Sequence, residues 1–301
     1  MNSPMKLTNK YNLPKVFERF DRANAHDKGD STYSVTTLID SPRIAKLRDE
    51  HYSEISRDIS DQLFAILGTA THKVLESGAG ENEVSEERYF AYIPGPDSPI
   101  PLPVRVSGQI DLQIPTDNGM RIIDYKTISA FTLIANKNGK EEWVKQLNCY
   151  AALARLNNIE VDSVEVIAIV RDWSARSRER NPDYPVAPIV SVPLELWGKE
   201  VAHDYLVDRV AAHENEDLPL CTEEEMWAKP TTYAVYEVGK NGVLKKRATK
   251  VYDNRTDAEA HIINVAGSRI EERKGVYTRC DGDYCSVSKW CDQYYGRIRH
   301  G

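Results

Sequence analysis

The chain has 301 residues, of which 41% are hydrophobic and 28% charged, and its formal net charge is −7. Those values suit one large α/β domain with a smaller appendage, and no stretch approaches the ~18 apolar residues that a membrane span needs. The acidic balance excludes a protein that coats nucleic acid by neutralising phosphates with Lys and Arg, but not an enzyme whose carboxylates hold divalent cations.

Residues 1 to 30 are polar and weakly periodic and read as an extended arm. Nothing there resembles an apolar secretion signal, so the expected location is the reducing cytoplasm of a prokaryote or a phage-infected cell. From Ser34 the run SVTTLIDSPRIAKLRDEH reads as a capped short helix, because Ser and Thr accept hydrogen bonds from first-turn amides. A longer helix is expected over 57–78, where Leu63, Ile66, Leu67, Ala70 and Val74 form a stripe expected to face a core. On its other side lie Ala65, Gly68, Thr69, His72 and Glu76.

Val104 to Ile114 alternates apolar and polar residues, as a half-buried strand does. Thr116, Asp117, Asn118 and Gly119 make a hairpin turn, and Arg121 to Thr127 returns as the second strand. Alternation then points Asp124 and Lys126 the same way. A helix from about Glu141 to Leu156 carries Gln146 and Tyr150 one turn apart, and the apolar run Ser163 to Arg171 suits a central strand. Beyond it, Tyr233–Val238 and Lys245–Tyr252 read as a second hairpin, followed by a helix over Asp257 to Ala266. The expected fold is therefore α/β, with a mixed central sheet flanked by helices. The expected domains are residues 1–215 and a C-terminal hairpin-helix module with a cysteine cluster at 216–301.

The chemistry concentrates in Gly108-Gln-Ile-Asp111, twelve residues, then Asp124-Tyr-Lys126. Phosphodiester hydrolysis needs an activated water and a partner for the charge that develops on phosphorus. Two carboxylates on a hairpin can hold Mg²⁺ or Mn²⁺ for that purpose, and Lys126 on the same face can orient the water or stabilise the transition state. Asp-x-Lys alone also fits a surface ion-pair ladder; His72 before the hairpin and Gln146-Leu-Asn-Cys-Tyr150 after it narrow the choice.

With Gly68-Thr-Ala-Thr-His72, and more loosely Ser34-Val-Thr36, these motifs resemble the RecB-like branch of the PD-(D/E)XK nucleases. That branch includes the CRISPR-associated iron–sulfur exonucleases and many phage-encoded members. The resemblance implies a restriction-endonuclease-like fold and a DNA substrate. It implies that His72, Asp111, Asp124 and the Tyr125 carbonyl ligate Mg²⁺ or Mn²⁺, that Lys126 activates water, and that Gln146 and Tyr150 steer the DNA strand or brace the lysine. Glu87, in Ser85-Glu-Glu-Arg-Tyr, is a further candidate acid on the metal side.

Five cysteines occur, and Cys221, Cys280, Cys285 and Cys291 lie in the last third. In a reducing compartment such spacing suggests a metal centre, a [4Fe–4S] cluster or alternatively zinc, with unligated cysteines as the remaining reading. The resembled iron–sulfur nucleases carry three closely spaced cysteines after the nuclease core and usually a fourth ahead of it. Here no cysteine precedes Cys149, so Cys221 takes the fourth place, and Cys149 reads as a buried free thiol. The leading functional expectation is a DNA exonuclease of recombination, repair or phage DNA processing. A structure-specific or nicking endonuclease, or a non-catalytic DNA-binding or redox-sensing module, is the alternative. No phosphate-binding Gly-rich loop appears, so any duplex unwinding would have to come from another chain, and a helicase or recombination partner is not readable from the residues.

Overall fold

The clean alternation at 104–114 becomes the strand on which the rest of the fold is laid out. The protein is described by a computed structural model covering residues 5–23, 28–94, 103–263 and 265–300. The chain divides into two units, residues 1–45 with 51–219, and residues 46–50 with 220–301.

The first unit runs β1 (Lys6–Thr8), α1 (Val16–Ala23), β2 (Tyr33–Ser34), α2 (Val35–Leu38), the start of α3 (Pro42–Glu50), β3 (Ser56–Asp58), α4 (Leu63–Glu76) and β4 (Val84–Ile93). It continues with β5 (Val104–Thr116), β6 (Gly119–Ile128), α5 (Ala130–Ala135), α6 (Glu141–Leu156), β7 (Val161–Val170), α7 (Ala175–Arg180), β8 (Ile189–Leu194) and α8 (Lys199–Glu214). The mixed sheet has the order β2-β5-β6-β7-β8, with β4 also paired to β5. β4 runs antiparallel along one edge of β5. The other edge is shared: β6 takes Leu112–Thr116, and β2 takes Val106 and Ser107.

The sheet is covered by α6, whose residues from Gln146 to Ala154 are all buried, and α8 packs on α6 through Ala202, Leu206 and Val210. Asn148 sits in this core without cost, because its amide donates to the Val144 and Glu195 carbonyls and accepts from Trp197 N–H. Cys149 is a free, fully buried thiol, and burial pushes its pKa up to about 12. The hairpin turn needs Gly119: its φ is +144°, and a Cβ there would meet the Glu160 carbonyl oxygen at 2.7 Å.

Three expectations are corrected. The N-terminal segment is not simply an extended arm. It contains β1, paired in parallel with β3, and α1, whose half-buried Phe17 and Phe20 give too short an apolar pattern to stand out among polar residues. The segment from 57 to 62 is not helical: Ser56–Asp58 is strand, and Asp58 caps a 3₁₀ turn at Ile59–Gln62. The apolar stripe of α4 does not face a core either. Leu63 and Val74 are 56% and 68% exposed, Ala70 is exposed and Ile66 and Leu67 are only half-buried, and the helix instead turns Thr71 and His72 toward β6.

The second unit contains a three-stranded antiparallel sheet, β11-β10-β12, formed by β10 (Thr232–Tyr236), β11 (Lys250–Tyr252) and β12 (Arg269–Arg273), with α9 (Arg255–Ile263) between the last two strands. A two-stranded pair, β9 (Ala228–Lys229) with β13 (Val276–Tyr277), leads into α10 (Thr278–Asp281) and α11 (Asp292–His300). The expected hairpin is present, with Val238 and Leu244 bridged around its Gly239–Gly242 turn.

Candidate active site

The two strands of the β5–β6 hairpin are paired from the turn as far as Leu112 and Ile123 and then diverge. The next residue on each strand is an aspartate, so Asp111 and Asp124 stand where the sheet forks. Divergence leaves the Tyr125 N–H without a ladder acceptor on β5, and the Asp111 carboxylate accepts it through Oδ2 at 2.7 Å. The backbone demand for a partner thus fixes the orientation of one acid.

Asp124 is 3% exposed and points to the α6 side of the sheet. Its Oδ1 accepts from Gln146 Nε2 at 3.1 Å, and its Oδ2 lies 2.9 Å from Lys126 Nζ. Lys126 donates to Gln146 Oε1 at 3.0 Å, and Gln146 Nε2 also donates to the Tyr150 hydroxyl at 2.8 Å. One amide therefore holds both the acid and the cation in register. Gln146 and Tyr150 are 6% and 5% exposed, which leaves little surface for touching a strand and suits bracing. Burial raises the Asp124 pKa, with repulsion from Asp111 adding to it and Lys126 opposing. For Lys126, burial works against the charge, but attraction to Asp124 wins and holds its pKa above the ordinary value. The side chain is an ammonium ion at neutral pH.

His72 approaches from the other face of β6, where α4 sets its ring edge-on to Tyr125 with centroids 5.9 Å apart. At the fork it reaches the acids: Nδ1 is 3.4 Å from Asp111 Oδ1 and 3.5 Å from Glu86 Oε1. Its pKa is raised to about 9, chiefly by the hydrogen bond to Asp111, against burial. Sequence reasoning missed Glu86. The candidate Glu87 pairs with Ile110 in the β4–β5 ladder and is exposed, away from the site. Glu86 instead drops out of that ladder with φ +54°, a conformation that side-chain-bearing residues rarely adopt. No pattern of residue types signals such a turn inside a strand.

His72, Glu86 and Asp111 place one ligand atom each within 4.8 Å of one another. Asp124 Oδ2 is buried and, despite the nearby ammonium, accepts no hydrogen bond of acceptable geometry. Oxygen-rich donors with one imidazole and an under-satisfied carboxylate suit a hard divalent cation such as Mg²⁺ or Mn²⁺. A cavity of about 700 Å³ opens beside these groups, with His72, Glu86, Arg88 and Asp111 on its wall and Gly68 and Thr36 nearby.

All four C-terminal cysteines lie in the second unit, with no disulfide between them. Cys221, Cys285 and Cys291 are buried, and the Cys280 pKa is raised to about 11, first by burial and then by Cys285, Cys221 and Cys291. Gln293 of α11 clasps the Cys221 backbone, accepting from its N–H at 2.8 Å and donating to its carbonyl at 2.9 Å. Among the basic side chains, Arg178 is spent on the Pro182 and Tyr184 carbonyls and Lys245 on Glu237.

A sequence model of the PD-(D/E)XK nuclease superfamily matches residues 16–292. Among solved structures, the crystal structure of SSO0001 is similar at 20% identity with a TM-score of 0.44, over 64% of this chain and 82% of that chain. No curated protein matches the chain with significance.

Proposed function

The chain belongs to the PD-(D/E)XK nuclease superfamily, and from that premise we propose that it is a Mg²⁺- or Mn²⁺-dependent deoxyribonuclease of the RecB-like branch, acting as an exonuclease at DNA ends. The observation that carries the reading is the fork, where Asp111 and Asp124 each follow the last β5–β6 pair and a lysine is held 2.9 Å from Asp124. In this reading Asp111, Asp124, His72 and the Tyr125 carbonyl hold the cation. Bound there, a divalent ion supplies Lewis acidity and lowers the pKa of water.

The chain's own residues supply the rest. Lys126 arrives charged, so it acts as an electrostatic partner for the attacking water and the phosphorane oxygens rather than as a base. Gln146 keeps Lys126 from collapsing elsewhere, and Tyr150 fixes Gln146. The proposed DNA strand lies in the cavity flanked by Arg88.

With Mn²⁺ the purified protein is expected to degrade linear DNA, and Asp124→Ala or Lys126→Ala should lower the rate by ~100-fold or more. Cleavage that survives excess chelator would contradict the proposal. Closed circular DNA tests the exonuclease assignment: nicking of circles indicates an endonuclease, and DNA binding without any cleavage indicates a non-catalytic module.

We further propose that Cys221, Cys280, Cys285 and Cys291 ligate a metal centre, a [4Fe–4S] cluster in preference to zinc. Its role would be structural, since a small unit with short strands gains most from a staple. Broad visible absorption with four equivalents of iron is the expected result; one equivalent of zinc in a colourless solution would replace the cluster with a zinc site.

A further inference from the structure

We propose that Glu86 is an additional protein ligand of the divalent cation, held in position by Gln109 and Arg88. The inference rests on the metal-dependent nuclease reading of the same site and adds a residue outside the His72, Asp111, Asp124 and Lys126 set.

The backbone of β4 is interrupted at this residue. β4 pairs with β5 at Ser85↔Leu112 and again at Glu87↔Ile110, and Glu86 between them leaves the ladder at the level of Asp111. With φ +54°, Glu86 occupies left-handed backbone space that glycine or asparagine fills more readily. A glutamate there gains nothing for the strand, so its carboxylate is the part with a use. Outliers of this type persist where the surroundings over-determine them, and they gather at functional sites.

The side chain is fixed at one end and left available at the other. Gln109 Nε2 donates to Glu86 Oε2 at 2.8 Å and to the Glu86 carbonyl at 3.2 Å. Arg88 Nη2 in turn donates to Gln109 Oε1 at 2.7 Å, which sets the amide's orientation. Oε1 remains directed at His72, 3.5 Å from Nδ1, and shares the 4.8 Å grouping with His72 and Asp111. Through this relay Gln109, the second residue of the Gly-Gln-Ile-Asp motif, aims Glu86.

A second observation points to a cation independently of this grouping. Asp124, 3% exposed, stands at the same fork with its Oδ2 2.9 Å from Lys126 Nζ but without a hydrogen bond of acceptable geometry. Glu86 and Asp111 bring two carboxylates to a place served by one imidazole. A dipositive ion between them removes that excess, and Glu86 closes its His72 side.

The test is Mn²⁺ binding by the full chain, read by calorimetry and by the electron paramagnetic resonance signal of unbound Mn²⁺, without DNA. Glu86→Gln, nearly isosteric, is expected to weaken binding at least ~10-fold, and Gln109→Leu, which releases the carboxylate without removing it, should weaken it to a smaller degree. The metal-free melting temperature of each variant reports folding, and Gln109→Leu carries the test should Glu86→Gln not fold. Mn²⁺ bound as tightly by both variants as by the unmodified chain overturns the proposal. If Asp124→Ala loses Mn²⁺ while Glu86→Gln keeps it, only the role of Glu86 fails. If the unmodified chain binds no Mn²⁺ and cleaves no DNA, the nuclease reading fails as well.

Discussion

Single side chains at the fork are poised by their neighbours, and His72 shows the consequence most directly. Its pKa of about 9 means that the cation-free imidazole is protonated at neutral pH, because Asp111 stabilises that charge. A raised folded-state pKa contributes stability that is present below the unfolded value and is lost as pH rises through about 9. A metal competes with the same proton, so the sign for binding is opposite: apparent Mn²⁺ affinity should rise by up to ~10-fold per pH unit between 7 and 9, with about one proton released. Calorimetry in buffers of different ionisation enthalpy measures that release, and a flat affinity across this range would remove His72 from the ligand set. The residues that meet here were legible in the sequence because their spacing joins rare residue types to hairpin and helix geometry. Glu86 was not, since its contribution depends on one reversed backbone dihedral next to a second, ordinary glutamate.

At the scale of elements, the glycines that open the β5 motif and the α4 motif serve opposite purposes. A Cβ on Gly108 would stand 2.8 Å from the Tyr150 ring and 3.0 Å from Leu153, both buried in α6. Gly108→Ala must therefore displace Tyr150 and with it Gln146, at an expected loss of about 1–3 kcal/mol from overpacking and a loss of activity. Gly68 in α4 has nothing within 4 Å of such an atom. Gly68→Ala should raise stability by roughly 0.5–1 kcal/mol through helix propensity. Thermal melts of the two variants check both signs. The hairpin was readable because strict alternation and an Asn-Gly turn agree with each other. The burial of α4 was misread because periodicity shows that an apolar face exists and not what covers it. β12 escaped notice altogether, since Arg-Ile-Glu-Glu-Arg has a single apolar residue and is held by its pairing to β10.

Across the whole molecule, the net charge of −7 limits how DNA can be held. Association must rely on a few local cations, so the plot of log affinity against log salt should have a slope of about −3 or shallower. Fluorescence anisotropy with labelled DNA in Ca²⁺ measures it, and a much steeper slope would point to a broad basic surface. Among the described residues no helix is long and apolar enough to cross a membrane. The α/β class and mixed sheet followed from the alternation of strand and helix patterns along the chain. The parallel edge pairing of the two-residue β2 did not, because a contact between residues 33–34 and 106–107 leaves no local trace.

The unfinished zipper between β5 and β6 gives Asp111 two jobs. It serves as the proposed ligand and also as a wedge, because its carboxylate occupies the amide of Tyr125 that would otherwise invite another rung. An alanine at 111 therefore removes charge and acceptor together and strands that amide, whereas asparagine keeps an acceptor for it. Asp111→Asn should lose Mn²⁺ and lower the cation-free melting temperature less than Asp111→Ala, which adds a cost of about 1–3 kcal/mol for the stranded amide.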